Sequence, residues 1–120
     1  MEKRVSAEKR IGAQGEAAAL RYLRTKGYVL IAKNVRTRFG ELDLVMVDSH
    51  ELVGIEVKTR RTRLFGTPAT GVGKLKVKRL RATLEQFVLD FGWHGPYRLD
   101  VVGLFGRGRR FRVEHLRGVG

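Results

Sequence analysis

The sequence has no cysteine and only two prolines among its 120 residues. The lack of cysteine excludes a disulfide-stapled scaffold, a cysteine-ligated zinc finger and a thiol nucleophile. No apolar run approaches the roughly 18–20 residues that a membrane-spanning helix needs, and the residues after Met1 lack the apolar stretch of a secretory signal. We therefore expect a single domain over residues 1–120, located in the cytoplasm and without a membrane partner.

Acidic residues are also scarce, since 12 Asp and Glu face 25 Lys and Arg and leave a net charge of +13. Nine bases and no acid lie between Lys58 and Leu84, whereas half of all the acids lie between Ile11 and Val57. A run of like charges repels itself unless an anion lies nearby. Nucleic acid is therefore the expected partner, and a solvated basic surface is the alternative.

Hydrophobic periodicity predicts two helices and five strands in an α/β domain with a mixed sheet. The predicted order is helix 6–26, strands 28–35, 41–48 and 51–60, helix 74–91, and strands 97–104 and 110–116. The second helix should bury a stripe that runs from Leu80 to Phe91. The strand at 97–104 is apolar on both faces, which favours an interior position, and the last strand alternates like an edge strand. The segment 61–73 is predicted to be a mobile loop that closes over nucleic acid.

The second and third strands place two carboxylates opposite each other. If the hairpin turns between Ser49 and His50, Asp43 faces Glu56 with Cβ atoms about 4.5–5.5 Å apart, and Glu41 faces Lys58. Opposed carboxylates repel, and a divalent cation such as Mg²⁺ offsets that repulsion with hard oxygen ligands. A lysine on the same face can orient a water or stabilise charge on a phosphate.

Glu16 lies on the first helix, on the stripe that should face the sheet. A core-facing glutamate is costly unless it is paired or ligates a metal. The alternative is an ion pair with an arginine at the helix surface. Gly12 and Gly15 both lower helix propensity, which indicates a close approach between this helix and a neighbour.

Asp43 followed by Glu56-x-Lys58 resembles the D…(D/E)xK signature of the PD-(D/E)XK restriction-endonuclease-like superfamily. Over nearly the whole chain, the sequence is similar to the YraN family of small bacterial proteins. The stretches that carry this similarity are Gly12-x-x-Gly15-Glu16-x-x-Ala19, Leu23 with Gly27-Tyr28, Asn34 with Arg36, Gly40-Glu41-Leu42-Asp43-Leu44, Glu56-Val57-Lys58-Thr59-Arg60, Lys74, and Arg98-Leu99-Asp100-Val101-Val102.

The resemblance implies a restriction-endonuclease-like αβββαβ core with the acidic site on its central hairpin. It implies that Asp43, Glu56 and the backbone carbonyl of Val57 ligate Mg²⁺ or Mn²⁺, and that Lys58 serves the attacking water. A glutamate on the helix, here Glu16, is similar to the one in archaeal Holliday-junction resolvases and joins the predicted catalytic set.

The sequence thus favours a metal-dependent nuclease that acts on structured DNA. A non-catalytic nucleic-acid-binding module and a basic protein that assembles on RNA are the alternatives. The sequence leaves the oligomeric state open, and a homodimer is one of the options. The three histidines show no metal-ligand spacing and are expected in turns or at the surface. The predicted nucleic-acid-binding residues are Arg36, Arg60, Arg61, Arg63, Lys74, Lys78 and Arg81.

Overall fold

The predicted order of helices and strands is confirmed by a computed structural model that describes residues 7–60, 72–107 and 110–120. Helix α2, strand β3 and strand β5 have the predicted limits, whereas β4 extends three residues beyond its predicted end. Ser6, where the first helix was predicted to begin, lies outside the described residues. The elements are α1 (Ala7–Thr25), β1 (Val29–Thr37), β2 (Gly40–Asp48), β3 (Glu51–Arg60), α2 (Lys74–Phe91), β4 (Tyr97–Arg107) and β5 (Arg110–Leu116).

The five strands form one mixed sheet in the order β1-β2-β3-β4-β5. Neighbouring strands are antiparallel except β3 and β4, which run parallel. A parallel pair needs a long crossover connection, and α2 is the helix in that connection. The predicted interior position of β4 and edge position of β5 are both confirmed.

Helix α1 covers one face of the sheet. Ala19 and Leu23 on this helix are fully buried and pack in one cluster with side chains of β2, β3 and β4. A Cβ on Gly15 would overlap the Thr59 hydroxyl of β3, so the glycine allows the close approach that the sequence predicted. Gly12, by contrast, is exposed and has nothing within 4 Å of a Cβ.

Helix α2 covers the opposite face, where Leu80, Leu84 and Val88 pack in a second cluster with β2, β3 and β4. The prediction that Phe91 belongs to this core is wrong, because its side chain is 52% exposed. Phe91 lies in the last turn of the helix, where its ring stacks on Phe87 with centroids 5.3 Å apart.

A buried ionic network joins β4, β5 and the β2–β3 turn. The fully buried Asp100 accepts hydrogen bonds from Arg98 Nε at 3.0 Å and from the Gly118 amide at 3.0 Å, and His115 Nε2 lies 2.8 Å from its other oxygen. Arg98 also contacts Asp48, Glu51 and the Tyr28 hydroxyl. The expectation that His115 lies in a turn or at the surface is wrong, because the carboxylate draws the imidazole into the interior.

Asp100 has opposing influences on its pKa. Burial alone would raise it, but hydrogen bonds from His115 and Arg98 hold the pKa of this carboxyl below its ordinary value. Its stabilising contribution is therefore present above the ordinary aspartate pKa, and it is lost as the pH falls through the lower pKa of the folded state.

We expect Asp100→Asn to lower the free energy of unfolding by about 3 kcal/mol, because it removes the fully buried charge that pairs with both Arg98 and His115. Urea denaturation at pH 7 measures the change. The matched control is Glu85→Gln, which removes an exposed partner 3.8 Å from Arg81 and should cost less than about 1 kcal/mol. Equal effects of the two variants would contradict a structural role for the network.

Candidate metal centre

The β2–β3 hairpin has the register that the sequence predicted. Its described pairs run from Asp48 opposite Glu51 to Leu44 opposite Ile55. Beyond that last pair, the Val57 amide donates a hydrogen bond of 2.7 Å to Asp43 Oδ2. The Asp43 carboxylate therefore takes the place of a backbone acceptor where the described pairing ends.

The predicted contact between Glu41 and Lys58 is not formed in that register. Glu41 Oε2 instead lies 3.3 Å from Arg36 Nε on β1. The difference arises because the paired residues of β2 and β3 end at Leu44 and Ile55, so the strands do not hold Glu41 and Lys58 opposite each other.

Glu56 is the most perturbed carboxyl of the site. Its side chain is only 8% exposed, and Lys76 Nζ lies 3.2 Å from its Oε2. Burial, followed by a hydrogen bond with Asp43 and the charge of Asp43, raises the pKa of Glu56 to about 7, although Lys76 acts in the opposite direction. Glu56 is therefore partly protonated near neutral pH.

Glu16 reaches the same site from α1. Burial, the charge of Asp43 and a hydrogen bond with Asp43 all raise the pKa of Glu16, while Lys33 lowers it. The glutamate thus contacts the sheet carboxylate, as its place on the helix stripe predicted. Asp43 lies at the centre of a chain of acids that runs from Glu16 through Asp43 to Glu56.

Lys58 and Val57 complete the predicted set. Lys58 is half-buried, and strand alternation puts it on the same face as Glu56. A strand residue directs its N–H and C=O to the same neighbouring strand. Because the Val57 amide donates to Asp43, the Val57 carbonyl is directed to that side as well.

These donors fit a magnesium-type cation. Mg²⁺ in proteins binds one or two carboxylates and keeps several waters, and the site offers Asp43, Glu56 and the Val57 carbonyl. Over residues 7–60, 72–107 and 110–120, no group of three or more His, Cys, Asp and Glu side chains has a metal-binding arrangement. A magnesium ion here would therefore be bound by two carboxylates, a backbone oxygen and water, and not by a cage of side chains.

Lys76 is a site residue that the sequence analysis did not single out. It belongs to the acid-free basic run, and the helix that carries it packs on the face of the sheet that presents Glu56. Its position between Lys74 and Lys78 was a usable signal. The sequence analysis instead predicted its two neighbours, Lys74 and Lys78, as phosphate-binding residues.

The predicted nucleic-acid-binding residues are not all equally available. Lys74 and Lys78 on α2 and Arg60 at the end of β3 are exposed. The Arg36 side chain is 79% exposed and pairs with Glu41, while Arg81 is half-buried beside Glu85. Arg61 and Arg63 lie outside the described residues, as does most of the predicted loop at 61–73.

Comparison with known proteins places the chain in a family. The model of uncharacterised protein family UPF0102 matches residues 15–104. The chain belongs to the UPF0102 family. The predicted kinship with an uncharacterised bacterial family is thereby confirmed.

UPF0102 proteins of several bacteria are similar to this chain over most of their length. The one from Beutenbergia cavernae is 44% identical over 92% of this chain and 95% of its own length. The UPF0102 protein of Nocardia farcinica is 42% identical over 97% of this chain and 93% of its own length. That of Symbiobacterium thermophilum is 44% identical over 78% of this chain and 80% of its own length.

Membrane insertion through a helix finds no support in this UPF0102 chain. In the part of the chain that the structure describes, neither helix has the length and apolarity needed to cross a bilayer.

Proposed function

We propose that this UPF0102 protein is a metal-dependent nuclease of the PD-(D/E)XK superfamily that hydrolyses phosphodiester bonds in structured DNA in the cytoplasm. The observation that carries the proposal is the convergence of Asp43 and Glu56 at the open end of the β2–β3 hairpin, where Asp43 accepts the Val57 amide and raises the pKa of Glu56. Lys58 follows two residues later on the same face. A site built only to bind nucleic acid has no need to place a buried Glu56 beside a half-buried Asp43 in a chain of net charge +13.

The residues have distinct roles in this proposal. Asp43, Glu56 and the Val57 carbonyl would hold Mg²⁺ or Mn²⁺, which supplies Lewis-acid stabilisation of the phosphoryl charge when it is bound. Lys58 orients the attacking water or stabilises charge that develops on the phosphate. Glu16 holds Asp43 in place from the helix side.

Substrate binding is assigned to the basic residues near this hairpin. Exposed Arg60, Lys74 and Lys78 offer charge to phosphates, and Arg61 and Arg63 belong to the same acid-free run of sequence. Arg36 and Arg81 already have acidic partners, so they contribute less. A homodimer is the arrangement that would present one site to each DNA strand.

The test is a cleavage assay with purified protein and Mg²⁺ or Mn²⁺. The substrates are single-stranded, duplex, flapped and four-way DNA, with RNA of matched sequence. Metal-dependent cleavage of at least one structured DNA supports the proposal. Binding to these substrates without cleavage by either metal would contradict it.

One contact favours a second candidate, a non-catalytic nucleic-acid-binding module. The ion pair between Lys76 and Glu56, together with the hydrogen bond from the Val57 amide to Asp43, gives both acids partners without any metal. In that case, Mn²⁺ has no effect on the melting temperature, and loss of the Glu56 charge lowers it.

The exposed lysines of α2 should contribute to the salt dependence of binding. We expect Lys74→Ala with Lys78→Ala to flatten the slope of log K against log salt on duplex DNA by about 0.9 for each phosphate that is no longer neutralised. Arg21→Ala with Arg24→Ala removes the same charge from exposed positions on α1 and is the matched control. Equal slopes for the two double variants would show that Lys74 and Lys78 are solvated surface residues that make no phosphate contact.

A further inference from the structure

A basic groove lies between the β1–β2 turn and the first half of α2. Its volume is about 450 Å³, which is within the usual size of small-ligand sites. Among the residues that the structure describes, the lining has three cations, one aromatic ring and one acid. It is lined by Thr37, Arg38, Phe39, Gly40, Glu41, Lys76, Arg79 and Leu80.

The charges of the groove favour an anion. Arg38 and Arg79 are exposed, and Lys76 is half-exposed, so all three can meet a ligand. Glu41, the acid in the described lining, already pairs with Arg36. The groove therefore keeps an excess of positive charge, which suits phosphate.

Hydrogen bonds anchor the turn that carries the aromatic ring of the groove. Phe39 donates its backbone N–H to the Thr37 hydroxyl, and that hydroxyl donates to Thr83 on α2. Thr83 in turn donates to the Arg79 carbonyl. These bonds fix the turn to the helix, so the 36% exposed ring of Phe39 is a positioned platform.

The environment of the ring suits a nucleobase. The Arg38 guanidinium lies 4.7 Å from the centroid of the Phe39 ring. Aromatic rings and arginine planes are the surfaces on which unpaired bases stack in single-stranded nucleic acids.

The groove also adjoins the acidic site. Lys76 lines the groove, and its ammonium lies 3.2 Å from Glu56 Oε2. A nucleotide in the groove would therefore have its phosphates next to the carboxylates that are proposed to hold the metal.

We propose that this groove binds one unpaired nucleotide of the substrate, with its base on Phe39 and its phosphates at Arg79 and Lys76. The inference deepens the proposed nuclease function and rests on it. It narrows the substrate to nucleic acid with a single-stranded end, flap or junction. A base inside a duplex would first have to unstack, which costs free energy.

The test measures binding by fluorescence anisotropy without divalent metal, so its outcome does not depend on cleavage. We expect Phe39→Ala to weaken binding of a 12-nucleotide single strand by roughly 10-fold and binding of the matched duplex by less than about 2-fold. Phe39→Trp should restore the affinity for the single strand. Tyr97→Ala removes an aromatic ring of similar exposure, 38%, from outside the groove and should change neither affinity.

A second pair of variants tests the phosphate contact. Arg79→Ala should weaken single-strand binding more than Arg24→Ala, which removes the same charge from exposed α1. Equal losses for Phe39→Ala on single strand and duplex, or equal losses for Phe39→Ala and Tyr97→Ala, would overturn the inference. These binding results do not depend on whether the parent cleaves DNA with metal, so failure of this inference can be distinguished from failure of the proposed nuclease function. Binding of free mononucleotides as tight as that of the strand would point to a small-molecule site and would also overturn it.

Discussion

Asp43→Asn and Glu56→Gln should each reduce cleavage by roughly 1,000-fold or more while nucleic-acid binding survives. Both substitutions keep the shape of the side chain and remove a charge that would hold the cation. The several kcal/mol of stabilisation that a bound metal gives the phosphoryl charge is lost with it, and about 1.4 kcal/mol corresponds to a factor of ten in rate. Single-turnover cleavage at saturating protein measures the chemical step.

Lys58→Ala separates the catalytic group from the metal ligands. We expect it to slow cleavage while leaving Mn²⁺ affinity largely intact, because the lysine is not a ligand in the proposed site.

Affinity for DNA, measured without metal, should be unchanged or tighter for Asp43→Asn and Glu56→Gln, since each removes a negative charge beside the phosphate path. Full cleavage by Asp43→Asn would refute the assignment of the site.

Raising the pH from about 4.5 to about 8 without a divalent cation should destabilise the fold through Glu56. Its pKa is about 7 in the folded protein, against an ordinary value of 4.5, so the folded state binds more protons than the unfolded state between those values. Stability is therefore full below pH 4.5 and is lost as the pH rises through 7. With 1.36 kcal/mol for each pKa unit, the loss is roughly 3 kcal/mol.

Urea denaturation at a series of pH values measures this loss. Glu56→Gln should flatten the profile over this range and should make the metal-free protein more stable at pH 8. Asp43→Asn should make the profile shallower, because the charge and hydrogen bond of Asp43 are two of the causes that raise the pKa of Glu56. A profile with the same slope in the parent and in Glu56→Gln would show that Glu56 does not titrate in this range.

The sequence predicted the architecture because its signals were local. Gly27 and Gly92 follow the two helices and both have the left-handed φ of helix-terminating glycines. The turn at Ser49 and His50 was enough to set the register of β2 and β3. Two acids brought together by one short hairpin depend on few other residues, so the approach of Asp43 to Glu56 could be predicted without a structure, although the paired residues end at Leu44 and Ile55.

The contacts that the sequence analysis missed all join distant parts of the chain. Lys76 reaches Glu56 only because α2 crosses the β3 face, and no spacing within the helix reveals that contact. His115 is buried because it meets Asp100 on the neighbouring strand. The Phe39 platform likewise depends on a hydrogen bond between Thr37 and Thr83, which are 46 residues apart.

Calorimetric titration of Mn²⁺ into the parent protein and into Asp43→Asn at pH 8 tests the central claim most directly. At that pH, Glu56 has lost its proton and is ready to act as a ligand. We predict one bound Mn²⁺ per parent chain, with a rise in melting temperature, and strongly weakened binding by Asp43→Asn. Failure of the parent to take up Mn²⁺, both alone and with DNA bound, would contradict the account.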